Sequence, residues 1–470
     1  MSTLATLEHD TTHDAAPLRE LLRQAGPTVA TMASYTLMTF VDKLIVSRIG
    51  PEPIYVGAQG NGGLASWVPM SIAAGTLTII ATFVSQNLGA RKPERAPAYA
   101  WAGLWLGALF WAVLLVPYSF FIPDVLRVAQ VDPAQASLAA EYGRILTIGS
   151  VLTLGTRALS QFFFGLHRPG VVLAAGVIAN VVNLVLTYGL VLGRLGLPAW
   201  GVAGSAYGTV IAGAIELAIP LAVFLGPRLN AHLHTRAAWR RCRKEMVEIV
   251  RLGWAGGAMF GNEMICWGYF MVHLVSHFGP DHATAGWIAH QYMSLSFMPA
   301  VGISVACTSV VGRRMGMRRP DLAAHRAWLA LGLALAYMVA CGIVFVVFRR
   351  SLVLAFVDPD TPPETVERLV RLGSAFLIAT AAFQAFDAIA MTTSGALRGA
   401  GDAVVPGVVS VVLSWLVIVG GGTALTLLAP NLESLGAWIA AAAYIMLLSV
   451  FLLARFIAGG WKRRTVVRTE

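Results

Sequence analysis

The sequence predicts an all-α membrane protein with twelve transmembrane helices, arranged as two parallel six-helix repeats around a central cavity. Its 470 residues are 57% hydrophobic and only 12% charged, with a mean hydropathy of +0.69. Because soluble domains average about 25% charged residues, a single aqueous core is excluded. The number of helices is predicted from the count of apolar segments, and their arrangement as two repeats is predicted from an internal sequence repeat.

Twelve apolar segments are long enough to cross a bilayer, which takes about 20 residues. They lie at 26–49, 60–86, 98–121, 142–164, 170–193, 199–226, 248–278, 284–311, 323–347, 372–395, 403–428 and 433–458. Glycine, alanine, serine and threonine are abundant in nearly all of them, and such small residues let helices approach closely in lipid.

Lysine and arginine are concentrated in the even-numbered loops and at the termini, for example at Arg91, Lys92 and along 228–244. This distribution predicts cytoplasmic termini in a plasma (inner) membrane, and it explains the +10 net charge by membrane orientation and anionic lipid, without a nucleic-acid partner. The polar N-terminus is not typical of a cleaved signal peptide. The predicted organisation is a cytoplasmic N-terminal segment (1–25), an N-lobe (26–227), a basic cytoplasmic linker (228–247), a C-lobe (248–458) and a basic tail (459–470).

An internal repeat relates the two halves of the chain. Gly26, Gly75, Gly89 and Pro93 recur at one fixed offset as Gly253, Gly302, Gly316 and Pro320. The stretch TFVSQNLGARKPERA similarly parallels SVVGRRMGMRRPDLA. Since the offset spans six segments, an even number, both halves cross the membrane in the same sense and form parallel repeats.

Two acidic residues stand near the middle of predicted C-lobe spans. Glu263 lies about 15 Å from either end of its segment, and Asp387 is far from the flanking Arg371 and Arg398. A carboxylate at the bilayer midplane costs several kcal/mol or more unless protein, water or a cation solvates it. The pair therefore indicates a proton or sodium site, with no metal expected beyond Na⁺ there. The alternative is a neutral acid that joins two helices by a hydrogen bond.

Asp42 is a third acid within a span, in the N-lobe. Asn180 and Asn183 lie one turn apart on another N-lobe helix, with Thr209 on the next, and all three could support an acid or a cation. The alternative is that the asparagines hold helices together. Five further polar residues receive no assigned role: Lys43, Arg157, Glu216, His273 and His290.

The sequence contains no constellation typical of an enzyme. It has no phosphate-binding glycine-rich loop, no nucleophile beside a base, and no metal-ligand spacing around its four cysteines. Neither an enzyme nor an ATP-driven pump is expected, and no cofactor is required.

From about Gly26 to Arg455 the sequence resembles the multidrug and toxic compound extrusion (MATE) transporters. The resemblance rests on the order and spacing of several weak motifs: Gly26 with Pro27, VDKLIVSRIG around Asp42, the paired QNLGARKP and RRMGMRRP loops, FFFGLHRP at Phe162, GVAGSAYGT at Gly201, and ALRGAGDAVVP at Ala396. Glu263 and Asp387 match the acids of the NorM-like branch, Asp42 matches the family's N-lobe acid, and Asn180 and Asn183 match its asparagines.

The resemblance implies cation-coupled antiport, driven by H⁺ or Na⁺, of amphipathic and often cationic organic compounds by a monomer that contacts membrane lipid. Two positions depart from the family pattern: Lys43 directly follows Asp42, and Phe383 stands where some relatives carry a tyrosine. The alternatives are a flippase for a lipid-linked saccharide from the same superfamily and a non-transport intramembrane enzyme or receptor. A flippase would be expected to line its cavity with basic residues, whereas this chain places more acids than bases within its spans.

A cavity for lipophilic cations is expected to be lined by aromatic and methionine side chains, because apolar and cation–π contacts tolerate many ligand shapes. The predicted lining residues are Met38, Trp67, Met264, Trp267 and Phe297.

Overall fold

A computed structural model describes residues 17–50, 54–240, 242–357 and 362–467. Six long helices form the N-lobe: α1 (Pro17–Val46), α2 (Ile54–Gly89), α3 (Pro93–Val128), α4 (Pro133–Gly165), α5 (Pro169–Leu192) and α6 (Gly201–Leu225). Six form the C-lobe: α7 (Arg243–Tyr269), α8 (Pro280–Gly316), α9 (Pro320–Leu354), α10 (Pro363–Gly399), α11 (Val404–Leu428) and α12 (Ser434–Ile457). The predicted two-lobe, all-helical fold is confirmed.

Within the described residues, ten of these helices are long and apolar enough to span a membrane by composition alone. The other two, α4 and α7, contain Arg157 and Glu263 respectively, which lower their mean hydropathy. Helix α1 begins at Pro17, well before the predicted start of the first span at residue 26. The predicted linker contains all but the first residue of a short helix, Pro227–Leu233. Parts of the predicted terminal segments and linker (1–16, 241 and 468–470) lie outside the described residues.

Four interhelical loops share a tight turn that also occurs at Gln130 and Gly193. Each has a residue with positive φ in its middle, namely Arg91, His167, Arg318 and Gly401. The next residue donates its backbone N–H to the carbonyl five positions earlier, as Lys92 does to Asn87 at 2.9 Å and Arg319 does to Arg314 at 3.0 Å. This pattern ends a helix by satisfying its last carbonyls. All four loops lie on one face of the molecule, which we call the basic face, and the opposite face is called the open face.

The repeated glycines lie where the lobes meet, and equivalent glycines of the two repeats contact equivalent residues of the opposite lobe. A Cβ on Gly75 would stand 2.5 Å from the carbonyl oxygen of Gly256, and one on Gly302 would stand 2.8 Å from Cα of Val29. Val29 and Gly256 are themselves equivalent positions of the two repeats. A pseudo-twofold axis therefore runs between the lobes, and backbone meets backbone across it.

Nearer the basic face the approach is closer still. A Cβ on Gly89 would stand 2.0 Å from the Arg313 carbonyl oxygen, and one on Gly316 would stand 2.0 Å from that of Gln86. Real Cβ atoms do not occupy such positions, so neither glycine can be replaced without separating the backbones. The glycines thus permit the lobes to seal against each other in this half of the molecule.

In the half toward the open face, the same helix faces separate. By the 3.6-residue period of the α-helix, Leu37 and Phe40 lie on the face of α1 that carries Val29. Leu295 likewise lies on the face of α8 that carries Gly302. These three side chains are 63%, 54% and 57% exposed. A Cβ added to Gly60 on α2 or to Gly268 on α7 would have no atom within 4 Å, apart from the backbone of its own helix. The lobes therefore diverge into a cleft.

Candidate functional site

The C-lobe brings its two predicted acids together. Glu263 on α7 and Asp387 on α10 are both half-buried, and their charges interact. Tyr444 on α12 lies within electrostatic range of both and shares a hydrogen bond of 3.0 Å with Ser410. In the part of the chain that the structure describes, neither carboxylate makes a hydrogen bond or an ion pair. Two acids without protein partners fit a site that takes protons or a cation from water.

Phe383 lies one turn before Asp387 and is fully buried. Because phenylalanine has no hydroxyl, this position supplies no phenol oxygen that could coordinate an ion at Asp387. The described residues contain no cluster of three or more histidine, cysteine, aspartate or glutamate side chains that could hold a metal ion.

The N-lobe surrounds Asp42 with neutral oxygen atoms. Asp42 is 6% exposed and lies beside Asn183 and Thr187 of α5. Among the described residues, Asp42 Oδ1, Asn183 Oδ1 and Thr187 Oγ1 are all buried without a hydrogen-bond partner. Asn183 instead donates its Nδ2 to Thr209 Oγ1 at 3.2 Å. This carboxylate oxygen and the two unsatisfied oxygens beside it form a cradle that fits a proton or a small hard cation.

The remaining predicted residues take up less specific positions. Asn180 lies one turn before Asn183 with its Nδ2 buried and unpaired within the described structure. The predicted lining residues Met38, Trp67, Met264, Trp267 and Phe297 are all partly buried. Trp267 meets Phe270 edge-on at 5.3 Å and His290 at 6.1 Å, and His290 is in turn within electrostatic range of Lys43 in the other lobe.

A charged cluster missed by the sequence reasoning joins the lobes at the basic face. Glu20 at the start of α1 accepts hydrogen bonds from Arg314 Nη2 at 2.9 and 2.8 Å and from Arg326 Nε at 2.9 Å. The side chains of Glu20, Arg314 and Arg326 are only 12%, 13% and 1% exposed. Charge-assisted bonds in so dry a setting are strong, and they stabilise closure of this face.

Loop residue His167 adds a second link between the lobes. Its Nε2 lies 3.2 Å from the Ser309 carbonyl oxygen of the C-lobe, and its own carbonyl accepts a bond from Gln24 Nε2 at 3.3 Å. Burial, reinforced by the nearby charge of Arg313, lowers the pKa of His167 to about 3, although Glu20 and the Ser309 carbonyl act in the opposite direction. The ring is therefore neutral while the face is closed.

A further polar group of the N-lobe involves two residues that the sequence left unassigned. Tyr35 on α1 donates a hydrogen bond to Glu216 on α6. Arg157 on α4 lies over the ring of Trp67, with Cζ 6.0 Å from the ring centroid, and its charge interacts with that of Glu216. Four helices of one lobe converge at this point, so the group lies inside the lobe.

This architecture, two six-helix lobes that meet toward one face and each enclose intramembrane acids among their own helices, is that of a membrane transporter. The MatE family model matches residues 27–189 and 259–422, and the chain therefore belongs to the MatE family. The members of this family are multidrug transporters and not enzymes, and they need no cofactor. The expected NorM-like resemblance and the expected transporter class are both confirmed.

Proteins similar to this chain in sequence or structure match it over nearly its full length. The chain is 29% identical over 461 residues to a probable multidrug resistance protein NorM of Deinococcus radiodurans, covering 97% of this chain and 98% of that protein. It is also 29% identical to the protein of the same name from Pseudomonas syringae pv. tomato, covering 96% of each. Among solved structures, a MOP superfamily transporter from Pyrococcus furiosus has a TM-score of 0.87 at 19% identity, covering 98% of this chain and 99% of that one. An outward-facing MATE family transporter has a TM-score of 0.84 at 20% identity, covering 95% and 97%.

Proposed function

We propose that this protein is a secondary active antiporter that exchanges amphipathic, often cationic organic compounds for H⁺ or Na⁺ by alternating access of its two lobes. The proposal is carried by Glu263 and Asp387, which lie in one lobe and within range of each other without protein partners. Two carboxylates whose charges interact repel each other when both are ionised, so they favour uptake of a proton or a cation. Asp42, with its unsatisfied oxygen neighbours, is a second coupling site of the same kind.

Alternating access is supported by how the lobes meet. The pseudo-twofold contacts from Gly75 and Gly302 to Gly89 and Gly316 close the half toward the basic face, while the exposed faces of α1 and α8 define the opposite cleft. Rocking of the lobes about these contacts would close the cleft and open the basic face. Antiport follows if cation and drug favour different members of this pair of states.

The proposed orientation places the basic face in the cytoplasm of a cell with both termini inside. Arg91, Lys92, Arg168, Arg318 and Arg319 all lie in loops of that face, as the distribution of positive charge in membrane proteins requires. The cleft then opens to the outside. Met38, Trp67, Met264, Trp267 and Phe297 are proposed to contact the drug within it.

The test is dye efflux from liposomes in which an H⁺ gradient and a Na⁺ gradient are imposed one at a time. Glu263→Gln combined with Asp387→Asn mimics the protonated acids at nearly constant volume. We expect this variant to lose gradient-driven transport while still binding dye at equilibrium, with no dependence on pH or Na⁺. Asp42→Asn should also impair efflux.

Asp124→Asn is the matched control, because Asp124 is an exposed acid near the open face whose partner is Arg127 at 3.1 Å. It should transport like the wild type. If the double variant still concentrated dye with unaltered ion dependence, the C-lobe assignment would be wrong and Asp42 would become the leading site.

A further inference from the structure

The C-terminal end of α10 carries an arginine whose guanidinium has no protein partner. Arg398 is half-buried, and its Nε is inaccessible to solvent and without a hydrogen bond among the described residues. In the same part of the chain, its two terminal nitrogens make no hydrogen bond and no ion pair either. Because an arginine in a protein does not lose its proton, this charge has to be compensated by an anion or by water.

The acid nearest to Arg398 in sequence, Asp402, does not supply that compensation. Its two oxygens accept hydrogen bonds from Arg455 at 2.8 and 3.0 Å, and Arg464 Nη1 lies 3.1 Å from one of them. One carboxylate therefore already serves two guanidinium groups. Among the described residues, the only titratable group within electrostatic range of Arg398 is the Cys307 thiol, which is not an acid that could balance a full charge.

The fold itself does not require a charged residue at this position. The turns after α4 and α10 have positive φ at His167 and Gly401, three residues after Phe164 and Arg398 respectively. In both turns the next backbone N–H bonds the carbonyl five positions earlier at 2.8 Å. Phe164 is thus the N-lobe counterpart of Arg398, and it packs in the apolar core with 3% of its surface exposed. The arginine in α10 therefore indicates a role other than ending the helix.

Arg398 borders a partly open cavity of about 20 Å³ in the half of the molecule where the lobes meet. Thr78 of the N-lobe helix α2 lines one side of the cavity, and Gly253 of α7 and Ser394 of α10 line others. Ser394 lies one turn before Arg398, and its hydroxyl has no hydrogen-bond partner among the described residues. A cavity of this size holds about one water molecule or one small ion.

The first turn of α11 completes the lining of the cavity. Ala403, Pro406 and Gly407 border it, and Ala403, which precedes the helix, has no side chain that could cap it. The first N–H groups of a helix carry a partial positive charge. A guanidinium, an unpaired hydroxyl and a helix N-terminus all favour an anion, and no carboxylate of the described residues borders the cavity. A water molecule could accept the same hydrogen bonds, but it would leave the charge of the arginine unbalanced.

We propose that this cavity binds one inorganic anion of halide size, held by Arg398 and Ser394 beside the N-terminus of α11. Because Thr78 and Ile79 of the N-lobe complete the site, the anion is enclosed only while the lobes meet toward the basic face. Opening that face withdraws α2 and admits water, which weakens the attraction between the anion and the guanidinium. The bound anion therefore stabilises the state with the basic face closed. The inference adds an anion dependence to the proposed alternating access, and it rests on that proposed function.

The test uses the purified full-length protein in nanodiscs of neutral phosphatidylcholine, so that no anionic lipid competes for the site. Potassium chloride replaces potassium gluconate at constant ionic strength and pH, without Na⁺, and spin-label distances across the basic face report the ratio of closed to open states. We expect chloride to raise this ratio about fivefold. Bromide should act like chloride, whereas sulfate is too large for the cavity and should act like gluconate. Broadening of the ³⁵Cl NMR line by the protein reports binding directly.

Three variants separate the cavity from the rest of the basic face. Arg398→Gln should abolish both the chloride response and the ³⁵Cl broadening. Arg398→Lys keeps the charge and should retain part of the response, and it also serves if Arg398→Gln fails to accumulate in the membrane. Ser394→Ala should weaken the apparent chloride affinity about fivefold, because one hydrogen bond to the anion is lost. Arg319→Gln is the matched control, since this arginine is exposed in a loop of the same face, and it should respond to chloride like the wild type.

An equal chloride response in the wild type and in Arg398→Gln would overturn the inference, and so would a wild type that shows neither a response nor ³⁵Cl broadening, because the cavity would then hold only water. Sulfate as effective as chloride would also overturn it, since that result indicates screening at the surface. The proposed antiport fails by a different result, namely the absence of gradient-driven dye efflux from liposomes. A protein with chloride-dependent closure but no coupled efflux would keep the anion site and lose the antiport.

Discussion

Toward the basic face the lobes meet through glycines, backbone carbonyls and buried ion pairs, whereas toward the open face the same helix surfaces stand apart. The closed half excludes water because Gly89 and Gly316 bring backbones into contact. The open half keeps Glu263 and Asp387 half-buried and without protein partners. The difference indicates that the energy holding this conformation is concentrated in the closed half, while the chemistry that changes during transport lies in the open half.

The largest expected effect on closure comes from Glu20→Gln, which leaves Arg314 and Arg326 facing each other in a dry setting. Removing one member of a buried charged cluster typically costs about 3 kcal/mol, which is roughly a hundredfold change in the ratio of closed to open states. Spin-label distances across the basic face should lengthen accordingly. Glu94→Gln, an exposed acid on the same face, is the control and should leave the distances unchanged. Unchanged distances in Glu20→Gln would show that the cluster does not hold the lobes.

A smaller effect is expected from Gly316→Ala. The added methyl would stand 2.0 Å from the Gln86 carbonyl oxygen, so the backbones must separate. Overpacking of this kind costs about 1 to 3 kcal/mol, which favours the basic-face-open state by roughly 5- to 150-fold. Gly268→Ala is the matched control in the open half, where a Cβ meets empty space. If both substitutions shifted the same distances equally, the distinction between the halves would be refuted.

The smallest effect concerns pH. When the basic face opens, water reaches His167 and its pKa returns toward the ordinary value of about 6.5, whereas in the closed state it is about 3. The open state therefore takes up a proton as pH falls below about 6.5, and acid favours opening. The ratio of closed to open states should fall about tenfold between roughly pH 7.5 and 5.5.

His167→Gln should remove this pH dependence of the closed-to-open ratio, while its side-chain amide can still donate a hydrogen bond to the Ser309 carbonyl. His325→Gln is a control, because this histidine lies near the same face on α9. A pH dependence that survived in His167→Gln would assign the proton to another group.

The sequence was sufficient for the features that depend on local composition and on repetition. The glycine repeat predicted the pseudo-twofold arrangement, and the positions of Glu263 and Asp387 within apolar runs predicted that both lie in one lobe, where their charges interact. Their role in coupling stays a prediction. It was insufficient where function depends on which faces of distant helices meet. Glu20 and Arg314 are 294 positions apart, and no local pattern relates them. Thr187 was likewise missed, because a threonine in an apolar helix gains significance only once Asp42 is seen beside it.

The sealed half also determines where a transmembrane voltage acts. In the proposed orientation, the contact zone from Gly75 to the basic face forms an insulating layer on the order of 20 Å thick, while the open cleft is filled with conducting electrolyte. Nearly all of the electric field then falls across the seal, and a cation arriving from outside reaches Glu263 without crossing it. Cation binding from outside should therefore be almost independent of voltage. The reorientation that moves the seal to the other side carries the charge through the field, at about 2.3 kcal/mol per elementary charge per 100 mV, and is the electrogenic step.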